Sequence, residues 1–441
     1  MSVKIGFVSL GCAKNLTDTE TMLGLLLGDG YEITAEPAQA DVLVVNTCAF
    51  IDAAKEESIG AILDMAAYKE QNCRMLIVAG CLAQRYRDEV LEQFPEVDAV
   101  LGVNDYDKIG NVIRGFFEKQ QRFSCVGSAD DAVPEGLPRL RSTPRHYAYL
   151  KIADGCDNRC TYCIIPKLRG HFRSRAAGQI LQEARQLAAD GVKELILVAQ
   201  DTACYGKDLE GYRLPDLLRD LEPIEGIAWI RLQYCYPENI TEELIAEMAR
   251  NKKVVPYLDM PLQHVSDAVL KRMGRKSRYD ELVALIGHLR SRLPGLAIRT
   301  SIIVGFPGET EADFACLTAF MQDMRLDRAG VFPYSREEGT PAYGFPGQLP
   351  EAVKQERYEM LMQIQQAVSL ELNMEKTGTI IDVIIEEYDE TNLCYVGRSY
   401  ADTPDVDGRA YVYSTQELHA GDIVRMRVLE ADEYDVTGEM A

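Results

Sequence analysis

Three apolar runs in the first 81 residues, "VKIGFVSL", "ADVLVVNTC" and "RMLIVAGC", read as buried parallel strands, each followed by a polar, helix-compatible segment. A chain built this way over residues 1–125 folds as a small doubly wound α/β domain. A cysteine stands at the carboxyl end of each strand: Cys12 in "SLGCAKN", Cys48 in "VVNTCAF" and Cys81 in "VAGCLAQ". The carboxyl ends of neighbouring parallel strands converge on one crevice, so thiols 36 and 33 residues apart in sequence can meet in space and hold a metal cluster. One buried cysteine is ordinary packing; three in the same structural position point to ligation. Gly11 and Gly80 beside two of them suit close approach to a bulky group.

The alternation stops at a proline- and charge-rich linker, residues 126–146, with Pro134, Pro138 and Pro144. It resumes over residues 147–345 as "YAYLKI", "ELILVAQ", "WIRLQYCY", "VVPYLDMPL", "AIRTSIIVGF" and "AGVFPYS", six strand-helix repeats that form a partial (βα)6 barrel. A long helix is expected over residues 346–374, and residues 375–441 turn to short β runs with Gly and Asp turns, a small β-barrel. The fold class is therefore α/β multidomain.

A second cysteine trio, Cys156, Cys160 and Cys163 in "DGCDNRCTYCIIPK", follows the first barrel strand, on the side where barrel active sites assemble. Structural zinc takes four closed ligands, and the nearest histidine, His171, is eight residues past Cys163. Soft thiolates at this spacing suit an iron-sulfur cubane, and three cysteines leave one iron without a protein ligand. "SIIVGFPGET" places Ile303 and Gly305 at the fifth strand end, where an unhindered backbone admits an adenosine. The other six cysteines, Cys73, Cys125, Cys204, Cys235, Cys316 and Cys394, show no such pattern.

The three-then-two cysteine spacing, with Tyr162 before the last cysteine, resembles the radical S-adenosylmethionine (SAM) superfamily. Joined to the α/β domain and the terminal barrel, which looks like a TRAM domain, it resembles the methylthiotransferases along essentially the whole chain. The resemblance implies two 4Fe-4S clusters. SAM chelates the open iron of the one on Cys156, Cys160 and Cys163, and after one-electron reduction yields a 5'-deoxyadenosyl radical. The other, on Cys12, Cys48 and Cys81, carries the sulfur that is methylated from another SAM. "SLGCAKNLTDTE", "VAQDTACYG" and "GRSYADTPDVDG" resemble the branch that modifies the β-carbon of an aspartate in small-subunit ribosomal protein S-twelve. A tRNA adenosine methylthiotransferase is the alternative. Ala13 departs from that branch's usual proline, and Ala203 and Cys204 also depart from its pattern.

Within the site, Gln200 and Arg231 are candidates for SAM polar groups or ordinary polar layers of the barrel. Of the basic run Lys167, Arg169, Arg173 and Arg175, one grips the substrate carboxylate, with Arg173 and Arg175 the candidates, or the run is solvated loop charge. His264 reads as a core histidine.

Charge bears on partners. The formal net charge is -22, and 16 acidic against 5 basic residues between Glu375 and the end supply half of it. Such a terminal domain repels tRNA and attracts a lysine- and arginine-rich ribosomal protein, so nucleic acid is not expected as a direct substrate. A flavodoxin or ferredoxin is expected as electron donor. No window approaches a membrane span, and a cytoplasmic location would keep the twelve cysteines reduced.

Overall fold

The computed structural model describes residues 3–441, which pack as two compact units. One holds the residues up to Ser142 together with Lys151–Gln179 and Ser335–Tyr343; the other holds Thr143–Leu150, Ile180–Tyr334 and Gly344–Ala441. The units are not contiguous stretches of chain. The segment that bears Cys156, Cys160 and Cys163 belongs with the amino-terminal sheet.

That sheet contains β1 (Lys4–Ser9), β2 (Glu32–Thr34), β3 (Val42–Thr47), β4 (Met75–Gly80), β5 (Ala99–Leu101) and β6 (Phe123–Cys125) in the order β2-β1-β3-β4-β5-β6. All pairings are parallel. Every residue of β3 and β4 is buried, because helices cover both faces and leave no polar side to the pleat. Met22 and Leu26 of α1 (Ala13–Gly28) join Ile109, Val112 and Phe116 of the later helix Ile109–Lys119 on one face. Ile62 of α2 (Asp52–Ala66) and Leu82 of α3 (Cys81–Tyr86) cover the other, with Val90 from α4 (Asp88–Gln93). With Ile109–Lys119 as α5, the short helix after the second cysteine trio is α6 (Ile165–Arg169), and its Leu168 is buried in that second layer. The order reverses between β1 and β3, where an open parallel sheet forms its crevice.

The second unit carries the expected pair of an open, partial barrel and a small closed barrel. After β7 (Tyr147–Lys151) and a two-residue pair, β8 (Ala153–Asp154) with β9 (Arg173–Ser174), come β10 (Glu194–Val198), β11 (Trp229–Leu232), β12 (Val254–Asp259), β13 (Ala297–Val304) and β14 (Arg328–Pro333). Their sheet runs β14-β13-β12-β11-β10-β7, sequential and with its two edges unjoined, the partial barrel expected from six strand-helix repeats. The long helix spans Glu351–Met374. The terminal β15 (Ile380–Asp389), β16 (Cys394–Ser399), β17 (Ala410–Tyr413), β18 (Ile423–Ala431) and β19 (Val436–Met440) close into a barrel around Val383, Ile385, Val412, Met426 and Val428.

The terminal barrel is not an appendage. Residues 398–407 reach all six strands of the open sheet, five through side chains and β11 through a carbonyl, from the first residues Tyr147, Glu194 and Arg328 to the mid-strand Arg231, Tyr257 and Arg299. The Tyr147 hydroxyl donates to Asp405 (3.4 Å), Arg398 donates to Glu194 (2.6 Å), and Arg231 donates to the Tyr400 carbonyl (2.6 Å). Tyr257 donates to Asp407 (3.1 Å), Arg299 lies 3.4 Å from Asp407, and Arg328 donates to Asp402 (2.8 Å). Trp229, Val255, Tyr257 and Ala297 pack there on Ile384 and Ala401. Burial alone would raise the pKa of Glu194, but Arg231 and Arg398 outweigh it and hold the carboxylate below its usual range. The acidity of "GRSYADTPDVDG" is thus partly spent inside the molecule: Asp402 and Asp407 answer barrel arginines.

Candidate functional site

Cys12, Cys48 and Cys81 leave the carboxyl ends of β1, β3 and β4, three strands adjacent in the sheet. The registers Ser9↔Asn46 and Thr47↔Gly80 bring the three chain ends level. Two glycines let them close up. Gly11, at φ +86°, passes so near Cys48 that an added Cβ would lie 2.9 Å from the Cys48 Cβ and 3.2 Å from its Sγ, and Gly80, at φ +88°, crosses Thr47 in the same way. Only glycine adopts these angles without strain at such contacts. A local lattice of hydrogen bonds then locks the strand ends. Asn15 donates to the Leu10 carbonyl (2.7 Å), Asn46 to the Asn15 carbonyl (2.9 Å), and the Thr47 hydroxyl to the Ala79 carbonyl (2.5 Å).

The three thiols sense one another. Burial pushes the Cys48 thiol up and Cys12 adds to it; burial pushes Cys81 up to about 12, opposed by Arg169 and reinforced by Cys48 and Cys12. Without a metal Cys48 and Cys81 hold their protons at neutral pH, so ligation here displaces protons. Among the described residues no three His, Cys, Asp or Glu side chains stand close enough to share a single ion. The soft donor set at a glycine-lined crevice fits an iron-sulfur cluster.

The second trio sits on the excursion between β8 and β9, closed by the pairing of Asp154 with Arg173. Cys156 N–H donates to the Gly170 carbonyl (3.0 Å), Cys163 N–H to the Cys160 carbonyl (3.1 Å), and Ile165 N–H to the Cys163 Sγ (3.4 Å). Gly155, at φ +79°, abuts the His171 carbonyl so closely that no Cβ fits. Cys156, Cys160 and Tyr162 are buried, and burial followed by Cys160 raises the Cys163 thiol. This donor set also fits a cluster held by three cysteines. From the far end of the barrel segment, the Ala342 N–H reaches the Thr161 carbonyl (2.9 Å), and Glu337 accepts from Lys55 (2.9 Å) and Arg85 (3.1 Å).

Between the trios lies a cluster the sequence reading missed. Arg169, 2% exposed, donates through Nη1 to Asp18 (2.8 Å) and Asp154 (3.1 Å), and through Nη2 to Asn15 (3.2 Å) and the Cys81 Sγ (3.7 Å). Lys151 Nζ bonds both carboxylates as well, Asp154 at 3.2 Å. Burial works against both cations, but the carboxylates carry them above their ordinary values. The only sequence sign was a lysine inside an apolar strand, "YAYLKIAD".

The expected roles of the arginines need correction. Arg169 is not available to a substrate. Arg173 gives its two terminal nitrogens to the Ala129 and Arg169 carbonyls (both 3.0 Å), and Arg175 donates to the Lys151 carbonyl (2.6 Å). Both brace this loop. Arg231 is 0% exposed and held by Glu194 (2.6 Å) and the Tyr400 carbonyl (2.6 Å), which commit its guanidinium inside the protein. Gln200 follows β10 at its carboxyl end, half-buried. Ile303 pairs in register with the exposed Phe332, and its N–H donates to the Gln263 carbonyl (2.7 Å). The room at Gly305, φ +73°, is filled by the Lys354 side chain rather than left open. His264 is a core residue: it is wholly buried, its Nδ1 accepts the Ser266 N–H (3.0 Å), and burial lowers its pKa to about 4. Cys204 donates to Asp201 (3.1 Å), and Cys235 is buried packing.

Comparison with known proteins covers the whole chain. Residues 4–102 match the uncharacterized protein family UPF0004, residues 150–320 the radical SAM superfamily, and residues 377–441 the TRAM domain. The protein named "Ribosomal protein uS12 methylthiotransferase RimO" from Acetivibrio thermocellus is 51% identical over 447 residues, covering 100% of this chain and 99% of the relative. The protein of the same name from Geobacter sulfurreducens is 48% identical, covering 99% and 98%. Among solved structures, the radical SAM methyltransferase TsrM from Kitasatospora setae, with cobalamin and a 4Fe-4S cluster bound, shares the fold at TM-score 0.58 and 14% identity, covering 78% of this chain and 74% of that one.

Proposed function

The chain belongs to the ribosomal protein uS12 methylthiotransferase family, and we propose on that footing that it replaces a β-carbon hydrogen of an aspartate in that ribosomal protein by a methylthio group. The observation that carries this reading is the presence of two three-cysteine sets in one compact unit. One set alone is enough to generate a radical; sulfur insertion calls for the other. Cys156, Cys160 and Cys163 hold one 4Fe-4S cluster, and Cys12, Cys48 and Cys81 hold the other. When bound, the clusters and SAM supply one-electron reduction, hydrogen abstraction and the methylated sulfur.

The residues of the chain then have distinct tasks. The burial of Cys156 and Cys160 keeps bulk water from the reacting end of the loop. Gln200 and Ile303, at the carboxyl ends of β10 and β13, orient SAM. Arg173 and Arg175 fix the loop, and through it the substrate's approach, without gripping its carboxylate themselves. The functional domains run 1–125, 147–345 and 375–441.

The exposed acids of the terminal barrel, among them Asp382, Glu387, Glu390, Asp422 and Glu430, attract the basic substrate. A flavodoxin or ferredoxin delivers the electron. Among the described residues no helix is long and apolar enough to cross a membrane. A ribosomal substrate supports a cytoplasmic reaction.

Anaerobic reconstitution, followed by mass spectrometry of the ribosomal protein and of anticodon-loop RNA after incubation with SAM and a reductant, tests the reading. One methylthio group on an aspartate is expected. Methylthiolation of the RNA, or of neither, overturns it.

A further inference from the structure

The cluster around Arg169 joins parts of the chain that no single cysteine set needs. One guanidinium reaches α1 at Asn15 and Asp18, just past Cys12; it reaches the sulfur of Cys81; and it reaches Asp154, two residues before Cys156. Arg169 itself stands six residues after Cys163. Two carboxylates and two cations balance inside the cluster, so its net charge adds nothing to the site. What faces Cys81 is an N–H edge whose direction is fixed by three other acceptors.

Burying such groups is costly, and an apolar core of the same size often does as well for stability. A function beyond packing follows from where the Nη2 donor points. A hydrogen bond to a ligating sulfur stabilises negative charge, and a reduced cluster is one charge more negative than the oxidised one. Donors to sulfur are among the levers by which a protein sets a cluster's reduction potential.

We propose that Arg169 is a positioning residue shared by the two cysteine sets: its hydrogen bond to Cys81 raises the reduction potential of the cluster on Cys12, Cys48 and Cys81, and its bond to Asp154 ties that ligand sphere to the loop of Cys156. The proposal rests on the assignment of Cys12, Cys48 and Cys81 as cluster ligands. A lysine replaces it only in part, since it keeps the charge but cannot serve Asp18, Asp154 and the sulfur in one plane. Lys151 sits on the carboxylates and leaves the sulfur to Arg169.

The test uses the full chain with Cys156, Cys160 and Cys163 all changed to alanine, reconstituted anaerobically so that only one cluster can bind. Its midpoint potential is read by redox titration with electron paramagnetic resonance, alongside iron content and melting temperature. Arg169→Gln is expected to shift the midpoint to a more negative potential with iron retained, and Arg169→Lys to recover part of the shift. Asn15→Ala, which removes the neutral acceptor that aims Nη2 and changes no charge, is expected to give a smaller shift of the same sign, and it decides the matter if the Arg169 variants do not fold. A lowered melting temperature with an unchanged midpoint makes Arg169 a structural bolt only and overturns the proposal. Absence of iron-sulfur in the triple-alanine parent overturns the ligand assignment itself, before any Arg169 variant is read.

Discussion

Cys156, Cys160 and Cys163 lie within eight residues of one another, whereas Cys12, Cys48 and Cys81 are spread over seventy. The first set is shaped by its own loop: backbone bonds from Cys156 to Gly170 and from Cys163 to Cys160 hold it, with β8 and β9 closing the base. The second exists only where three strands agree in register, and a one-residue slip of β3 against β4 would turn Cys48 away from Cys81. A local motif therefore survives in sequence as a spacing, and a distributed one as a position repeated at strand ends. The distributed set also depends more on glycine, because three separate backbones must approach where one loop would simply turn.

The sharpest separation of the two comes from Cys156→Ala. SAM cleavage should fall by more than about a hundredfold, as for loss of a cluster ligand, while roughly half of the iron remains on the strand-end set. Loss of all iron in an iron assay would mean the sets do not fold independently. Gly80→Ala attacks the other side. Strain at φ +88° and crowding against Thr47 should together cost about 4 kcal/mol and empty the strand-end set first, seen as a lowered melting temperature with the loop set's SAM cleavage kept.

Acid gives a reference outside both sets. His264, in the other unit, is neutral when folded and has a pKa near 4, against an ordinary value of 6.5. Between those values the unfolded chain binds the extra proton, so stability is full above pH 6.5 and falls as pH drops towards 4, by about 3 kcal/mol in total. Denaturant midpoints across that range should show the slope, and His264→Gln should flatten it. Smallest of all is Thr47→Val, which removes the hydroxyl between Ala79 and Leu82; about 1 kcal/mol of stability and a modest loss of iron from the strand-end set alone are expected.

Much of the architecture was legible because apolar runs of four to eight residues mark β1, β3, β4 and the six barrel strands directly. The strands β2, β5 and β6 were not, since three residues are too few to show a period. The two cysteine trios stand out in sequence by placement and spacing. The Arg169 cluster could not, because its members come from α1, β7, β8 and α6 and only the packed sheet brings them together. Arg231 shows the opposite failure. It sits on a barrel strand as a binding residue would, but Glu194 and the Tyr400 carbonyl, from distant parts of the chain, take its guanidinium.

The contact of residues 398–407 with all six strands of the open sheet has a consequence for how such proteins can be recombined. A terminal domain taken from a relative with another substrate would have to bring acids matching Arg299 and Arg328 and an arginine matching Glu194, or leave those charges stranded in a dry cavity. Truncation before Glu375 would do the same to the native barrel. The open sheet and the terminal barrel are thus inherited as one piece, and the terminal barrel can vary on its outer face only while its inner loop stays fixed.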